Sequence, residues 1–333
     1  MTVAPAQPLA SSPLAPSAAV REGWLILRVA GVSTAGRVRT LRLVSLTGDT
    51  LPSFTPGSHI VVEAGGRTNA YSLTGDFLEP IAYEISVLRI PDGNGGSRWI
   101  HDDLDVGQEL SVSPPRSAFP PVASAQHHVL VAGGIGITPL MPMMREASAR
   151  KKSWTLLYCN RSDDAAPFLA EIRALGGEVS LHSTAASTRL DVAQKLGTVR
   201  ADTAVYCCGP ERLMLAVEEA TAGWPEGSVH FEWFAPRSRP ADESSGSFEA
   251  VCQGSGITVT VPPDKSLLDA LNDAGIPVPC SCQQGICGTC EVRVLGGEVD
   301  HRDSILSAAE RATNETMMAC VSRARSSRLV LDI

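Results

Sequence analysis

The segment CSCQQGICGTC, residues 280–290, holds four of the chain's nine cysteines. Counted from Cys282, the thiols follow C-x4-C-x2-C through Cys287 and Cys290, and Cys320 comes after twenty-nine intervening residues. That is the ligand spacing of a 2Fe-2S cluster. Gly285 and Gly288 stand between the ligands, where the loop must turn tightly and aim backbone N–H groups at sulfide. Cys280 falls outside the spacing and takes no ligand role. A zinc site would pair two short C-x2-C knuckles, and only one is present.

A second chemistry is written in glycine. VLVAGGIGITPL, residues 129–140, reads as a buried strand running through Gly133, Gly134 and Gly136 to Thr138 and a helix start. Such a turn sets backbone amides and a positive helix end against a pyrophosphate. The pattern departs from G-x-G-x-x-G and is weak alone. AVYCCGPERLM, residues 204–214, is another apolar strand, ending at Cys208, Gly209 and Pro210 before a helix. Strand ends of an open parallel sheet form one ligand crevice, so the two segments point to a shared site.

These groups need elements to hold them. From Trp24 to about Pro121, short alternating runs such as WLILRVAGV and YEISVLRI, punctuated by Gly and Pro, predict an antiparallel β-barrel. HHVLVAGG, WTLLYCN, GEVSLHS and AVYCCGP are continuous apolar runs between helical stretches, the pattern of a buried parallel sheet in an α/β domain. PRSRPADESSGS, 236–247, reads as a linker. FEAVCQ, ITVTVP and the helical DKSLLDALNDAG then lead to the cysteines, predicting a C-terminal α+β plant-type ferredoxin domain. The expected organisation is multidomain: a tail over 1–19, a barrel over 20–122, a nucleotide-binding domain over 123–235, the linker, and the ferredoxin domain over 248–333.

The net charge of -8 and pI near 5.4 disfavour nucleic acid or an anionic membrane as partner. Residues 1–19, rich in Pro, Ala and Ser, read as a disordered tail and not a signal peptide. The expectation is a cytoplasmic monomer, with clustered cysteines used for metal and not for disulfides.

RTNAYSL (67–73), GGIGITP, CCGP and the cysteine spacing together resemble the phthalate dioxygenase reductase family, within the wider ferredoxin-reductase superfamily, from about residue 20 to the end. The resemblance implies FMN, NAD(P)H and a fused ferredoxin that feeds a Rieske-type terminal oxygenase. The family's R-x-Y-S motif falls on Asn69–Ser72, with Asn69 where the family has arginine; Arg67 lies two residues away. By resemblance, Tyr71 packs on the isoalloxazine, Ser72 approaches its N5, and Leu73, Val87 and Leu88 complete the flavin seat. NGGSRWIH (94–101) resembles the phosphate segment, giving Gly95, Gly96 and Ser97 that role, and Phe234 in HFEWF matches an aromatic that covers the flavin. Ser72, Cys208 and Phe234 are the implied catalytic set. After TLLYC, Arg161 and Ser162 could hold a 2'-phosphate while Asp163 or Asp164 would repel it; NADH is expected, with NADPH the alternative. FAD is the alternative to FMN.

NAYSL, HFEWFA and the C-terminal run from GGEVDHRD resemble the carnitine monooxygenase branch of the family, implying a quaternary-amine oxygenase as partner. His301, in DHRD, reads as loop packing. Nicotinamide gives two electrons together, a 2Fe-2S cluster takes one at a time, and a flavin does both, so the inventory composes one pathway. The alternatives are a reductase for an aromatic-acid oxygenase or demethylase, a reductase for a cytochrome P450, and a non-catalytic electron carrier.

Overall fold

A computed structural model of the chain describes residues 23–117, 119–162, 166–237 and 246–333. The tail over 1–19, Asp163, Asp164 and most of the linker lie outside the described residues.

Seven strands and one helix build the first domain. They are β1 (Leu25–Ala35), β2 (Val38–Ser45), β3 (Ser58–Ala64), β4 (Arg67–Ser72), β5 (Tyr83–Leu88), α1 (Gly96–Asp102), β6 (Glu109–Val112) and β7 (Arg116–Ser117). The hydrogen-bonded order is β4-β3-β6-β1-β2-β5, all antiparallel, with β7 on β3. A bridge from Leu73 to Ile85 joins the two ends of that path, so the barrel is nearly closed. The alternation read from the sequence is the reason: Leu27, Val29, Leu41, Leu43, Ile60 and Val62 all point into one core.

The second domain holds β8 (His127–Gly133), α2 (Leu140–Ala149), β9 (Ser153–Asn160), α3 (Leu169–Ala174), β10 (Glu178–Ser183), α4 (Val192–Leu196), β11 (Thr203–Cys208), α5 (Glu211–Ala220) and β12 (Val229–Glu232). The sheet order is β10-β9-β8-β11-β12, parallel throughout. Continuous apolar strands follow from burial on both faces. Leu130 and Ala132 pack with Leu140 and Met144 of α2, whereas Val129 and Val131 pack with Met214 and Val217 of α5.

The third domain contains β13 (Phe248–Cys252), β14 (Ile257–Val261), α6 (Leu267–Asp273), β15 (Glu291–Gly296), β16 (Val299–Asp300), α7 (Ala308–Thr313), β17 (Thr316–Met318), β18 (Arg323–Ala324) and β19 (Arg328–Leu331). Its main sheet runs β14-β13-β19-β15-β17, with β13 and β19 parallel. Ser266 caps α6, its hydroxyl accepting from the Asp269 N–H at 3.0 Å. Leu267, Leu268 and Leu271 of that helix are buried against the sheet.

The domains touch directly. Arg145 of α2 donates to the carbonyls of Thr74 and Gly75 in the barrel. Thr68 Oγ1 donates to Ser281 O at 2.8 Å, and Arg116 Nη1 to Gly288 O at 2.7 Å, which joins the barrel to the cysteine loop. Among the described residues no helix is long and apolar enough to cross a membrane.

Candidate redox centre

The cysteine loop spans residues 276–290, between α6 and β15. Gln283, Gly285 and Gly288 have φ of 54°, 68° and 71°, the left-handed conformation of a tightly coiled loop. Gly285 is required on two counts, since a Cβ there would also meet Val321 Cγ2 at 2.6 Å and Asp303 Cα at 3.0 Å. Its carbonyl accepts from the Ser304 N–H at 2.9 Å, tying the loop to the segment that follows β16. Cys290 immediately precedes β15, and Cys320 comes up beside it just after β17; the Ala319 N–H donates to Cys290 O at 3.0 Å.

The four thiols meet in two pairs, Cys282 with Cys287 and Cys290 with Cys320. Within each pair one sulfur accepts a hydrogen bond from the other, and that contact pushes Cys287 down to about 5 and lowers Cys290 while raising Cys282 and Cys320. Among the described residues no three His, Cys, Asp or Glu side chains converge as one metal ion would need. Two thiol pairs are the donor set for a binuclear cluster, in which each iron takes two protein thiolates and shares the sulfides. The residues fit the group. Thr289 Oγ1 lies 3.3 Å from Cys287 Sγ, and the Gln284 N–H donates to Cys282 Sγ at 3.3 Å. Cys280 packs against the domain core. His301 lies 3.7 Å from the buried Asp303 carboxylate.

On the barrel, Tyr71 and Ser72 end β4. The Tyr71 hydroxyl, Ser72 Oγ and His59 Nε2 are buried without hydrogen-bond partners. Leaving such groups unpaired costs about 1–3 kcal/mol each, so their arrangement suits a polar ligand. Asn69 sits at the start of α1: Asn94 Nδ2 donates to its Oδ1 at 2.7 Å, and Asn94 Oδ1 accepts from the Gly96 N–H at 3.1 Å. A Cβ on Gly96 would stand 2.1 Å from Asn69 Nδ2, so this amide pair closes over the helix start only because glycine is there. The Ser97 hydroxyl is engaged by the Ile90 N–H at 3.2 Å. Arg67 is exposed. Leu73 and Val87 are committed to the barrel core, and the Val87 carbonyl pairs with His101 Nε2 at 2.9 Å, leaving Leu88 half-buried at the rim.

In the second domain the glycine turns exist to let two strand ends meet. A Cβ on Gly136 would lie 2.2 Å from Cys208 O, and one on Gly133 would lie 2.4 Å from Pro210 Cδ. A Cβ on Gly209 would stand 2.9 Å from the Gly133 nitrogen. Gly134 to Ile137 form a 3-10 turn, closed by Thr138 Oγ1 donating to Ile135 O at 3.0 Å. Arg161 is exposed at the carboxyl end of β9, where its carbonyl accepts from Ser183 Oγ and the Ala185 N–H. Phe234, two residues beyond β12, is 41% exposed.

One residue escaped the sequence reading. Glu232, within the quoted HFEWF, lies opposite Cys208 in the β11/β12 register. The residue is half-buried, its Oε2 is buried without a partner, and desolvation pushes its pKa up to about 8. Burial, and then Glu232, raise the Cys208 thiol far above its ordinary value. Burial thus favours the neutral form of both groups. A charged residue at the end of an apolar strand was the available signal. The raised pKa has a sign: the folded state keeps the proton to about 8 while the unfolded chain releases it near 4.5. Stability from this group is complete below the lower value and is lost as pH rises toward the upper one. Melting curves of Glu232→Gln should lose that part of the decline; an unchanged pH slope would show that Glu232 is not held protonated.

Comparison with known proteins places the fold and the cluster-binding domain in a known family. Residues 250–325 match the model of the 2Fe-2S iron-sulfur cluster binding domain, and residues 108–229 match the N-terminal domain of dimethylamine monooxygenase subunit DmmA-like proteins. The chain is 38% identical to the carnitine monooxygenase reductase subunit of Escherichia coli K12, over 89% of this chain and 94% of that protein. It is 37% identical to the phthalate dioxygenase reductase of Burkholderia cepacia over 94% and 98%. A solved phthalate dioxygenase reductase, described as a modular structure for electron transfer from pyridine nucleotides to 2Fe-2S, superposes with a TM-score of 0.68 at 35% identity, covering 94% of this chain and 98% of that one. An intact type IV self-sufficient cytochrome P450 monooxygenase superposes with a TM-score of 0.89 at 39% identity, covering 93% of this chain; the chain spans only 41% of that polypeptide.

Barrel, parallel sheet and ferredoxin domain in this order define an NAD(P)H-dependent flavin and iron–sulfur oxidoreductase, the reductase component of an oxygenase system. The chain belongs to the phthalate dioxygenase reductase family.

Proposed function

We propose that the chain oxidises NADH, carries FMN, and feeds a separate Rieske-type oxygenase whose substrate is carnitine or a related quaternary amine. The observation that carries the reading is the meeting of three features on one barrel: the Tyr71–Ser72 edge with unpaired polar atoms, the start of α1 at Asn69 and Gly96, and the thiol loop bonded to Thr68 and Arg116. Bound flavin accepts hydride and releases electrons one at a time. The protein's part is positional. Tyr71 supplies a flat face and Ser72 a hydroxyl beside the reacting edge. Asn94, Gly95 and Gly96 frame the phosphate end, with Arg67 and Arg98 as the nearby cations for a dianion. Gly133, Gly134, Gly136 and Thr138, with Cys208, Gly209 and Pro210, hold the dinucleotide; Phe234 covers the nicotinamide side of the flavin. Cys208 and Glu232, their neutral forms favoured by burial, keep the hydride site free of negative charge. Cys282, Cys287, Cys290 and Cys320 hold the cluster.

FMN, and not FAD, should be recovered when the flavin is extracted from purified protein. A higher kcat/KM with NADPH than with NADH would reverse the nucleotide assignment and give Arg161 the 2'-phosphate. The Rieske reading is supported by potential: plant-type clusters lie near about -400 mV and Rieske centres at roughly -150 to +300 mV, so transfer runs downhill. The similarity to carnitine monooxygenase reductase supports the amine. A cytochrome P450 acceptor is the second reading, favoured by the superposition on a P450 polypeptide. Reconstitution with candidate oxygenases, following NADH oxidation coupled to product, separates them. Turnover with a P450 and with no Rieske component would replace the first reading by the second.

A further inference from the structure

Ser72 and His59 face each other across the β4/β3 ladder. Directly opposed residues of an antiparallel pair put their side chains on the same face. Both are buried, at 4% exposure each, and Ser72 Oγ and His59 Nε2 both lack partners. His59 also contacts the backbone of Cys287 in the cysteine loop. With Arg116, Cys287 and Gly288 it lines a cavity of about 270 Å³ between barrel and ferredoxin domain. Arg116, paired with His59 in the β3/β7 register, holds the Gly288 carbonyl at 2.7 Å. Thr68, on the neighbouring strand, holds Ser281 O at 2.8 Å. One edge of the barrel therefore grips the cysteine loop at both ends, and His59 is the side chain that shares a face with Ser72 and also reaches a thiol-bearing residue.

From this juxtaposition we infer that His59 is a positioning residue for electron transfer: it fixes the Cys287 side of the cluster against the flavin edge served by Ser72, and Arg116 holds the adjacent peptide in register. The inference rests on the flavin and cluster assignments proposed above. The step is a one-electron transfer: reduced flavin loses one electron, and the cluster passes from two ferric ions to one ferric and one ferrous. The second electron follows once the acceptor has emptied the cluster, and NADH supplies both. The short grip matters because transfer needs a fixed separation, and a linker-tethered domain would sample many.

The test uses the intact, cofactor-loaded protein in stopped-flow mixing with NADH, followed at flavin and cluster wavelengths, with EPR of the reduced cluster. His59→Ala should slow cluster reduction by roughly 10- to 100-fold relative to its own flavin-bleaching phase, as expected for a displaced reacting pair, and alter the EPR spectrum. His59→Asn, which keeps a donor, should recover most of the rate. Arg116→Ala, which leaves His59 intact, should slow the same phase to a smaller extent; it decides the matter if His59→Ala loses its cofactors. Wild-type cluster reduction and EPR in His59→Ala would overturn the inference, as would a slowing that His59→Asn does not relieve, or wild-type transfer in Arg116→Ala where His59→Ala cannot be loaded. Failure of the ligand assignment is seen separately, as a retained cluster in Cys287→Ser.

Discussion

Cys287→Ser should empty the cluster site and leave hydride transfer from NADH to flavin working. Cys287 is buried, pairs with Cys282, lies 3.3 Å from Thr289 Oγ1 and contacts His59, so no other thiol can take its place without moving the loop. Disturbing groups behind a metal ligand costs roughly 10- to 100-fold, and removal of a ligand should exceed this in electron delivery to any acceptor beyond the cluster. The proposed hydride site draws on other elements, the ends of β8 and β11 and the barrel strand β4, so flavin bleaching should persist. Iron content, visible absorption and stopped-flow flavin reduction read all three points. Cys280→Ser is the control, because Cys280 packs on the domain core outside the thiol pairs. Cluster loss in Cys280→Ser with retention in Cys282→Ser would overturn the ligand register.

Gly136→Ala should do the reverse, blocking entry of electrons and sparing the cluster. The added methyl would stand 2.2 Å from Cys208 O and 2.5 Å from its carbonyl carbon, and both are backbone atoms at the end of a fully buried strand. A strand end cannot swing aside like a side chain, so the β8 turn and the β11 end must separate. Overpacking of this kind costs about 1–3 kcal/mol of stability, and a displacement near 1 Å at a reacting site costs about 100-fold in rate. NADH-dependent flavin reduction should fall by that order, while dithionite still reduces the cluster to the wild-type extent. Wild-type flavin reduction in Gly136→Ala would show that the Gly136–Cys208 approach is not part of the nucleotide site.

The sequence by itself determined the domain order and the chemistry. Cysteine spacing is local, so Cys282, Cys287 and Cys290 identify a cluster loop without any fold, and Cys320 completes the ligand pattern. Strand periodicity is local too, which is why the alternating barrel and the continuous parallel strands were both legible before any contact was known. Glycine placement carried the nucleotide turn, although its reason, the closeness of Gly136 to Cys208 O, belongs to the fold.

Tertiary structure alone decided which groups face one another. The thiols pair as Cys282 with Cys287 and Cys290 with Cys320 because β17 brings Cys320 beside Cys290. Asn69 meets Asn94 and Gly96 because β4 runs beside the start of α1. Glu232 has its pKa raised because the fold removes its carboxyl from water at the end of β12, opposite Cys208. Thr68 and Arg116 find the cluster loop across 213 and 172 residues of chain. Contacts at that separation depend on how two finished surfaces fit, and a linear pattern of residue types carries no record of that fit.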